Sequence, residues 1–141
     1  MIRTDASVKS SQGAGISYEA VIYDEQGRYS RERGSSYIPK EIKTTDAETI
    51  AAAFGVMEIY EIMGEEKGEY EVILESDCQP TVNSIHQSIH EDTEVERVLK
   101  FFARSFGEFR SRWIPRVKNS RADAIAREAR RRGWENNDSM A

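Results

Sequence analysis

Apolar and polar residues alternate through roughly the first forty positions of the chain, after which the spacing of apolar residues lengthens to that of a helix. Residues 1–8 place Ile2 and Thr4 on one side of a strand and Arg3 and Asp5 on the other. A small polar stretch, KSSQGAG at residues 9–15, reads as a loop. Ile16, Tyr18, Ala20 and Ile22 then mark a second strand, DEQG a turn, and the return through Tyr29 a third. Strands joined this closely predict an antiparallel meander. From residue 44, Ile50, Phe54 and Met57 trace a helical stripe that weakens at Glu61, and Ala51, Ala52 and Ala53 allow close packing. YEVILES at residues 70–76 is a fourth strand and PTVNSIHQSI at 80–89 a helix. Residues 95–106 form another helix, with Val95, Val98, Leu99 and Phe102 on one face. EFRSRWIPRV at 108–117 is a fifth strand whose pairing Pro115 limits, and residues 120–132 close the pattern as a helix carrying Ala122, Ile125, Ala126 and Ala129.

Three strands followed by helix, strand, helices, strand and helix predict an α/β fold with one mixed sheet: a meander first, right-handed parallel crossovers afterwards. The natural order places strand one beside strand four. Asp5 and Asp77 then lie at or near the carboxyl ends of adjacent parallel strands, where open α/β sheets keep their ligand crevice.

A chain of 141 residues suits one domain with one core, here residues 1–134, with 135–141 as a polar tail. Cys78 is the only cysteine, so no internal disulfide forms. The longest apolar window, residues 50–60, is too short to span a bilayer and is broken by Glu58. A soluble, cytoplasmic protein is expected. The net charge of −5 argues against a simple basic nucleic-acid binder, but the average conceals an asymmetry. Residues 1–96 carry eight basic side chains against twenty acidic ones, and residues 97–132 carry twelve against three. A basic C-terminal third beside an acidic remainder fits a protein that holds a polyanion with one region and metal ions with another.

Four acids have both a local and a collective explanation. Asp77 can cap the helix that follows it, and Asp5 can shape a turn. Thr45 and Glu48 have the spacing of a capping box. Asp123 lies in a first helical turn, where an acid gains about 0.3 to 1 kcal/mol from the helix dipole. Together, however, the four converge on one crevice in the predicted topology. Carboxylates packed so closely repel and raise one another's pKa values unless cations lie between them. All-oxygen ligation with room for water suits Mg²⁺ or Mn²⁺.

These residues resemble the type 1 ribonucleases H, whose signature is Asp, Glu, Asp, Asp in this order on these elements. TDAS, TTDAETIAAA, ILESDCQPTV and WIPRVKNSRADAIAREA are similar to the family's four motifs, and the resemblance spans nearly the whole chain. It implies the ribonuclease H-like fold: a five-stranded mixed sheet in the order 3-2-1-4-5, strands 1–3 antiparallel, with helices on both faces. It also implies hydrolysis of the RNA strand of an RNA–DNA hybrid by two Mg²⁺ or Mn²⁺ ions, leaving a 5′-phosphate and a 3′-hydroxyl. One ion would generate the attacking hydroxide and the other steady the leaving oxygen. Asp5 would contact both metals, Glu48 and Asp77 would complete one site, and Asp123 would hold the other. Ser11, Gln12 and Gly13 in the loop, Thr45 near Glu48, and Lys118 and Asn119 before the last acid would contact substrate. The loop's backbone and polar groups near Glu48 would read the 2′-hydroxyl. The implied working form is a monomer without a membrane or obligate protein partner.

The chain departs from the family at several points. Its only histidines are His86 and His90, so none precedes the last Asp, and Arg116 is assigned an auxiliary part in phosphate handling or product release. Thr45 stands where the family often has a base-contacting Asn, and Cys78 where Ser commonly follows the third acid. The family's basic protrusion is expected to be absent, because residues 88–98 are acidic there, and no hybrid-binding domain is expected. Grip would come from Arg110, Arg112, Lys118, Arg121 and Arg127. His86 and His90 share a helical face, but Gln87 stands where a zinc protease needs Glu, so they read as solvated surface. Two other functions stay open. One is a non-catalytic nucleic-acid binding module on the same fold, which has no reason to keep a repulsive acid cluster. The other is a 3′–5′ exonuclease, disfavoured by Ser7 where such enzymes carry Asp-x-Glu.

Overall fold

The computed structural model describes residues 1–86 and 93–140, without the side chains of 84, 86 and 138–140. Its elements are β1 (Ile2–Lys9), β2 (Gly13–Tyr23), β3 (Tyr29–Ile38), α1 (Thr44–Met63), β4 (Glu71–Ser76), α2 (Gln79–His86), α3 (Glu94–Ala103), β5 (Glu108–Trp113) and α4 (Ser120–Met140). Short 3-10 turns occupy Gly64–Glu69 and Arg116–Asn119. The five strands form one sheet in the order β3-β2-β1-β4-β5. β1 to β3 are antiparallel, and β4 runs parallel to both β1 and β5. The expected α/β topology is therefore the observed one.

One face of the sheet packs on α1. Ile2, Leu74, Val56, Leu99 and Phe106 belong to the main core cluster, and each aliphatic side chain buried there contributes about 1.5 to 3 kcal/mol. Ala51, Ala52 and Ala53 are all buried, as their small size anticipates. At Gly55 a Cβ would stand 2.9 Å from a methyl of Thr4, so α1 lies close on β1. That close approach sets the position of Glu48 two turns earlier.

The opposite face carries α4, which packs on β2, β1 and β3. Contact depends on Gly15, where a Cβ would come within 2.0 Å of the Ala126 carbonyl oxygen. A row of alternating charge crosses this face: Arg33 on β3 stands opposite Glu19 on β2, Glu19 opposite Arg3 on β1, Arg3 opposite Glu75 on β4, and Glu75 opposite Arg112 on β5. Opposite charges directly across a sheet favour one register over another. Among the described residues, no helix is long and apolar enough to cross a membrane.

Several boundaries differ from the sequence reading. The loop between β1 and β2 shrinks to residues 10–12, because β2 begins at Gly13, not near Ile16. Gly13 has φ 87°, and a Cβ there would strike the Ile38 carbonyl oxygen at 2.2 Å, so only glycine fits. β5 ends at Trp113, where its partner β4 also ends, and Pro115 leads into the 3-10 turn instead of extending the strand. The Thr45–Glu48 capping box does not form: α1 starts at Thr44 after Lys43, no side chain caps it, and Glu48 turns inward. The helix expected at 80–89 is described to His86; His90 and the acidic run at 88–92 lie outside the described residues, as does the side chain of His86.

Gly15→Ala should force α4 off β2 and destabilise the protein by about 1–3 kcal/mol in denaturant unfolding. Unchanged stability would show that the contact is loose.

Candidate active site

The parallel register sets Ile2 opposite Leu74 and Arg3 opposite Glu75, an offset that brings Asp5 level with Asp77. Asp5 sits within β1, which continues past this point paired with β2, whereas β4 ends at Ser76 and releases Asp77 just beyond. The departing strand opens a notch. α1 closes its side with Glu48. One carboxylate oxygen each from Asp5, Glu48 and Asp77 lie within 4.8 Å of one another, with Asp5 and Glu48 buried and Asp77 half-buried. Asp123, in the first turn of α4, lies near enough for its charge to act on Asp5. Its own carboxylate is held at 3.1 Å by Arg127 one turn on. All four acids singled out from the sequence thus border one notch, three of them as a tight group.

Their electrostatics are those of a crowded, dry cluster. Burial, then the charge of Asp77, and hydrogen bonding and charge from Asp123 push the Asp5 carboxyl up to about 7, although a hydrogen bond with Glu48 pulls the other way. Burial comes first for Glu48 too, followed by the charge and hydrogen bond of Asp5 and the charges of Asp77 and Cys78, so it rises further. A proton is therefore held more readily than usual between Asp5 and Glu48. Glu48 Oε2 is buried with no hydrogen-bond partner, a costly state for a carboxyl oxygen.

Neighbouring groups pin the notch. The indole Nε1 of Trp113 donates to the Asp77 carbonyl oxygen at 3.1 Å, and the Ile114 amide donates to the Ser76 carbonyl at 2.9 Å. The Ser76 hydroxyl accepts from the Cys78 amide at 3.1 Å, turning the chain into α2. At the α4 side, Asn119 Nδ2 donates to the Thr4 carbonyl at 2.9 Å and Ser17 donates to the Ala122 carbonyl. Below the acids, buried Glu75 accepts from Arg3 Nε and Arg112 Nε, each at 2.9 Å. Burial alone would raise the Glu75 carboxyl, but hydrogen bonds and charge from the two guanidinium groups outweigh it and hold the group below its ordinary value.

The remaining expected residues divide. Arg116 and Lys118 are exposed on the turn before α4, and Thr45 is exposed one turn ahead of Glu48. Ser11 is exposed with φ 71°, and Gln12 is anchored by Tyr37, which donates to its carbonyl, and by Arg130, which donates to its side-chain oxygen at 3.1 Å. Gly13 is buried at the start of β2. Asn119 is fully buried, its amide nitrogen donating to the Thr4 carbonyl and so supporting β1. Arg110 and Arg112 pair with Glu71 and Glu75, and Arg127 with Asp123, which limits them as free phosphate contacts. Sequence reasoning missed Trp113 and Glu75. The signal for Glu75 was parity: Arg3, Glu75 and Arg112 share a face with Asp5 and Asp77.

Trp113→Phe keeps a ring but removes the donor to Asp77. Affinity for Mn²⁺, read by calorimetry, should fall about tenfold, as for other groups that orient a ligand from behind. Unaltered affinity would leave the indole a purely packing role.

A sequence profile described as reverse transcriptase-like matches residues 3–129. No curated protein matches the chain in sequence. Among solved structures, LC11-RNase H1 in complex with an RNA/DNA hybrid is 26% identical with a TM-score of 0.75, covering 93% of this chain and 96% of that one. RNase H1 from the halophilic archaeon Halobacterium salinarum NRC-1 is 20% identical with a TM-score of 0.68, covering 91% and 94%. The N-terminal RNase H domain of Rv2228c from Mycobacterium tuberculosis is 16% identical with a TM-score of 0.75, covering 96% of each chain. The last two speak to fold alone. The profile spans most of the chain and the strand order is shared, so the protein belongs to the reverse transcriptase-like family and has the fold of the type 1 ribonucleases H.

Proposed function

We propose that the protein is an endoribonuclease that hydrolyses the RNA strand of RNA–DNA hybrids, leaving 5′-phosphate and 3′-hydroxyl ends. The observation that carries this reading is the group of Asp5, Glu48 and Asp77, whose oxygens approach within 4.8 Å around an unpartnered Glu48 oxygen. A module that only bound nucleic acid would gain nothing from so repulsive a cluster facing phosphate. The hybrid-bound LC11 protein supports the substrate class.

The donor set fits Mg²⁺ or Mn²⁺, since every candidate ligand is a carboxylate oxygen and a cation would relieve both the repulsion and the orphaned oxygen. Asp5, Glu48 and Asp77 would hold one ion, and Asp5 with Asp123 a second. Bound there, the ions would supply Lewis acidity to the attacking water and to the leaving 3′-oxygen. The protein's own part is placement. Trp113 and the Ser76 backbone fix Asp77, α1 holds Glu48 out of solvent, and Arg127 orients Asp123. Arg116 and Lys118 stand exposed on the turn leading into α4, the helix that carries Asp123, where guanidinium and ammonium groups would meet phosphate oxygens. The anchored turn exposes Ser11, whose backbone and hydroxyl would meet the 2′-hydroxyl, the feature that separates RNA from DNA, while the Gln12 amide and carbonyl are engaged by Lys9 and Tyr37. Each acid of the cluster comes from one chain, which supports a monomer as the working form. A free Cys78 is compatible with the reducing cytoplasm.

A labelled hybrid, the matching duplex RNA and duplex DNA, incubated with Mg²⁺, Mn²⁺ or chelator, test this reading. The hybrid should be cut only with metal, duplex DNA should survive, and Asp77→Asn should lose at least about a thousandfold in kcat. Metal-independent cleavage, or full activity in the variant, would overturn the mechanism.

The raised Asp5 carboxyl gives a second test with a defined sign. A carboxyl whose folded pKa is raised contributes stability below its unfolded value of 3.8, and that contribution is lost as pH rises through about 7. Glu75 acts in the opposite sense, but only below its ordinary 4.5. Without metal, Tm should therefore fall between about pH 5 and about pH 8, and Mg²⁺ should restore it at the upper end and do little at the lower. A metal-free Tm that climbs over this range would refute the cluster's electrostatics.

A further inference from the structure

The sheet face that carries α4 is only partly covered. α4 meets β2 at Ser17, then Gly15, and lies against Tyr37 of β3 at Gly133, so it climbs away from the lower ends of these strands. The uncovered part forms a shallow groove of about 700 Å³ whose lining includes Arg3, Arg31, Arg33 and Arg121 with Glu19 and Glu32. Arg3 is taken up by Glu75 and by the Lys118 carbonyl oxygen. Arg31, Arg33 and Arg121 are exposed, and none of them enters an ion pair among the described residues.

We infer that this groove is an accessory track for the phosphate backbone of the hybrid beyond the cleavage site, an inference that rests on the function proposed above. Charge is the first argument. Arg31 and Arg33 belong to the strongly acidic first 96 residues, yet their strand turns them onto the face that also holds Arg3 and Arg121. Arg31, Arg33 and Arg121, outside any ion pair among the described residues, outnumber Glu19, the carboxylate on their face of the sheet, and guanidinium binds phosphate through paired donors. Continuity is the second. Arg3, which lines the groove, and Asp5 of the notch stand two residues apart on the same face of β1, so the groove begins one residue pair below the notch. The third is exclusion elsewhere: past α1, Glu61, Glu65, Glu66 and Glu69 are exposed and repel a polyanion. Duplex leaving the notch toward the groove thus meets cations where the α1 side presents acids.

The test removes charge from two separate elements, as Arg31→Gln with Arg33→Gln on β3 and as Arg121→Gln on α4. Binding is read by fluorescence anisotropy against salt on an Asp77→Asn background with Mg²⁺, using a hybrid of about two helical turns and one of about half a turn. Each lost phosphate contact should make the salt slope on the long hybrid shallower by about one unit. In the otherwise native protein KM for the long hybrid should rise with kcat retained, and neither effect should appear on the short one. Slopes and KM equal to those of the parent on the long hybrid would overturn the track while leaving hydrolysis in place. A native chain that cuts no hybrid would instead count against the proposed function itself.

Discussion

The parallel pairing of β1 with β4 is the constraint on which the rest of the molecule depends. It is short, with Ile2 against Leu74 and Arg3 against Glu75, yet it decides that two carboxylates from distant parts of the chain stand side by side. A slip of one residue would turn Asp5 into the core and Thr4 outward, because side chains alternate across a strand. Each flanking element then adds one acid to a position the two strands have already defined. α1 supplies Glu48 through its close approach to Thr4, and α4 supplies Asp123 through its contact with Gly15.

Such a cluster opposes folding, and the structure offsets it locally. Beneath the notch on the same face, Glu75 sits between two arginines, so the row below the acids carries a net positive charge that offsets them. On the other face, Ile2, Leu74 and Val56 are almost wholly buried and anchor the strands and α1 by apolar contact. Stability is thereby drawn from the core and the charged row, while the notch is left strained for a cation. Separation of these tasks by face is a direct result of the two-residue period of a strand.

Much of this was legible in the sequence because parity and helical period depend on neighbours along the chain. Arg3 and Asp5 fall on one side of β1 by alternation alone, and the switch to helical spacing at residue 44 coincides with the start of α1. The four acids and their order carried the rest, through resemblance to a known family. What escaped was decided across space. Thr45 and Glu48 have the spacing of a cap, but burial of Glu48 against β1 determines its role. Asn119 is expected to contact substrate, and only the inward turn after Pro115 reveals that it holds the Thr4 carbonyl. Arg112 was free to read as a phosphate ligand because its partner Glu75 is 37 residues away.

α4 ties together two places that would otherwise be independent. Asp123 lies at its start, and Arg130, seven residues on and so about 10 Å along the axis, grips both Ser7 and Gln12. The acid at the notch and the turn at residues 10–12 are therefore mounted on one helix. On the function proposed above, any effect that ion occupancy had on sugar recognition through this helix would be returned by the same factor in the other direction.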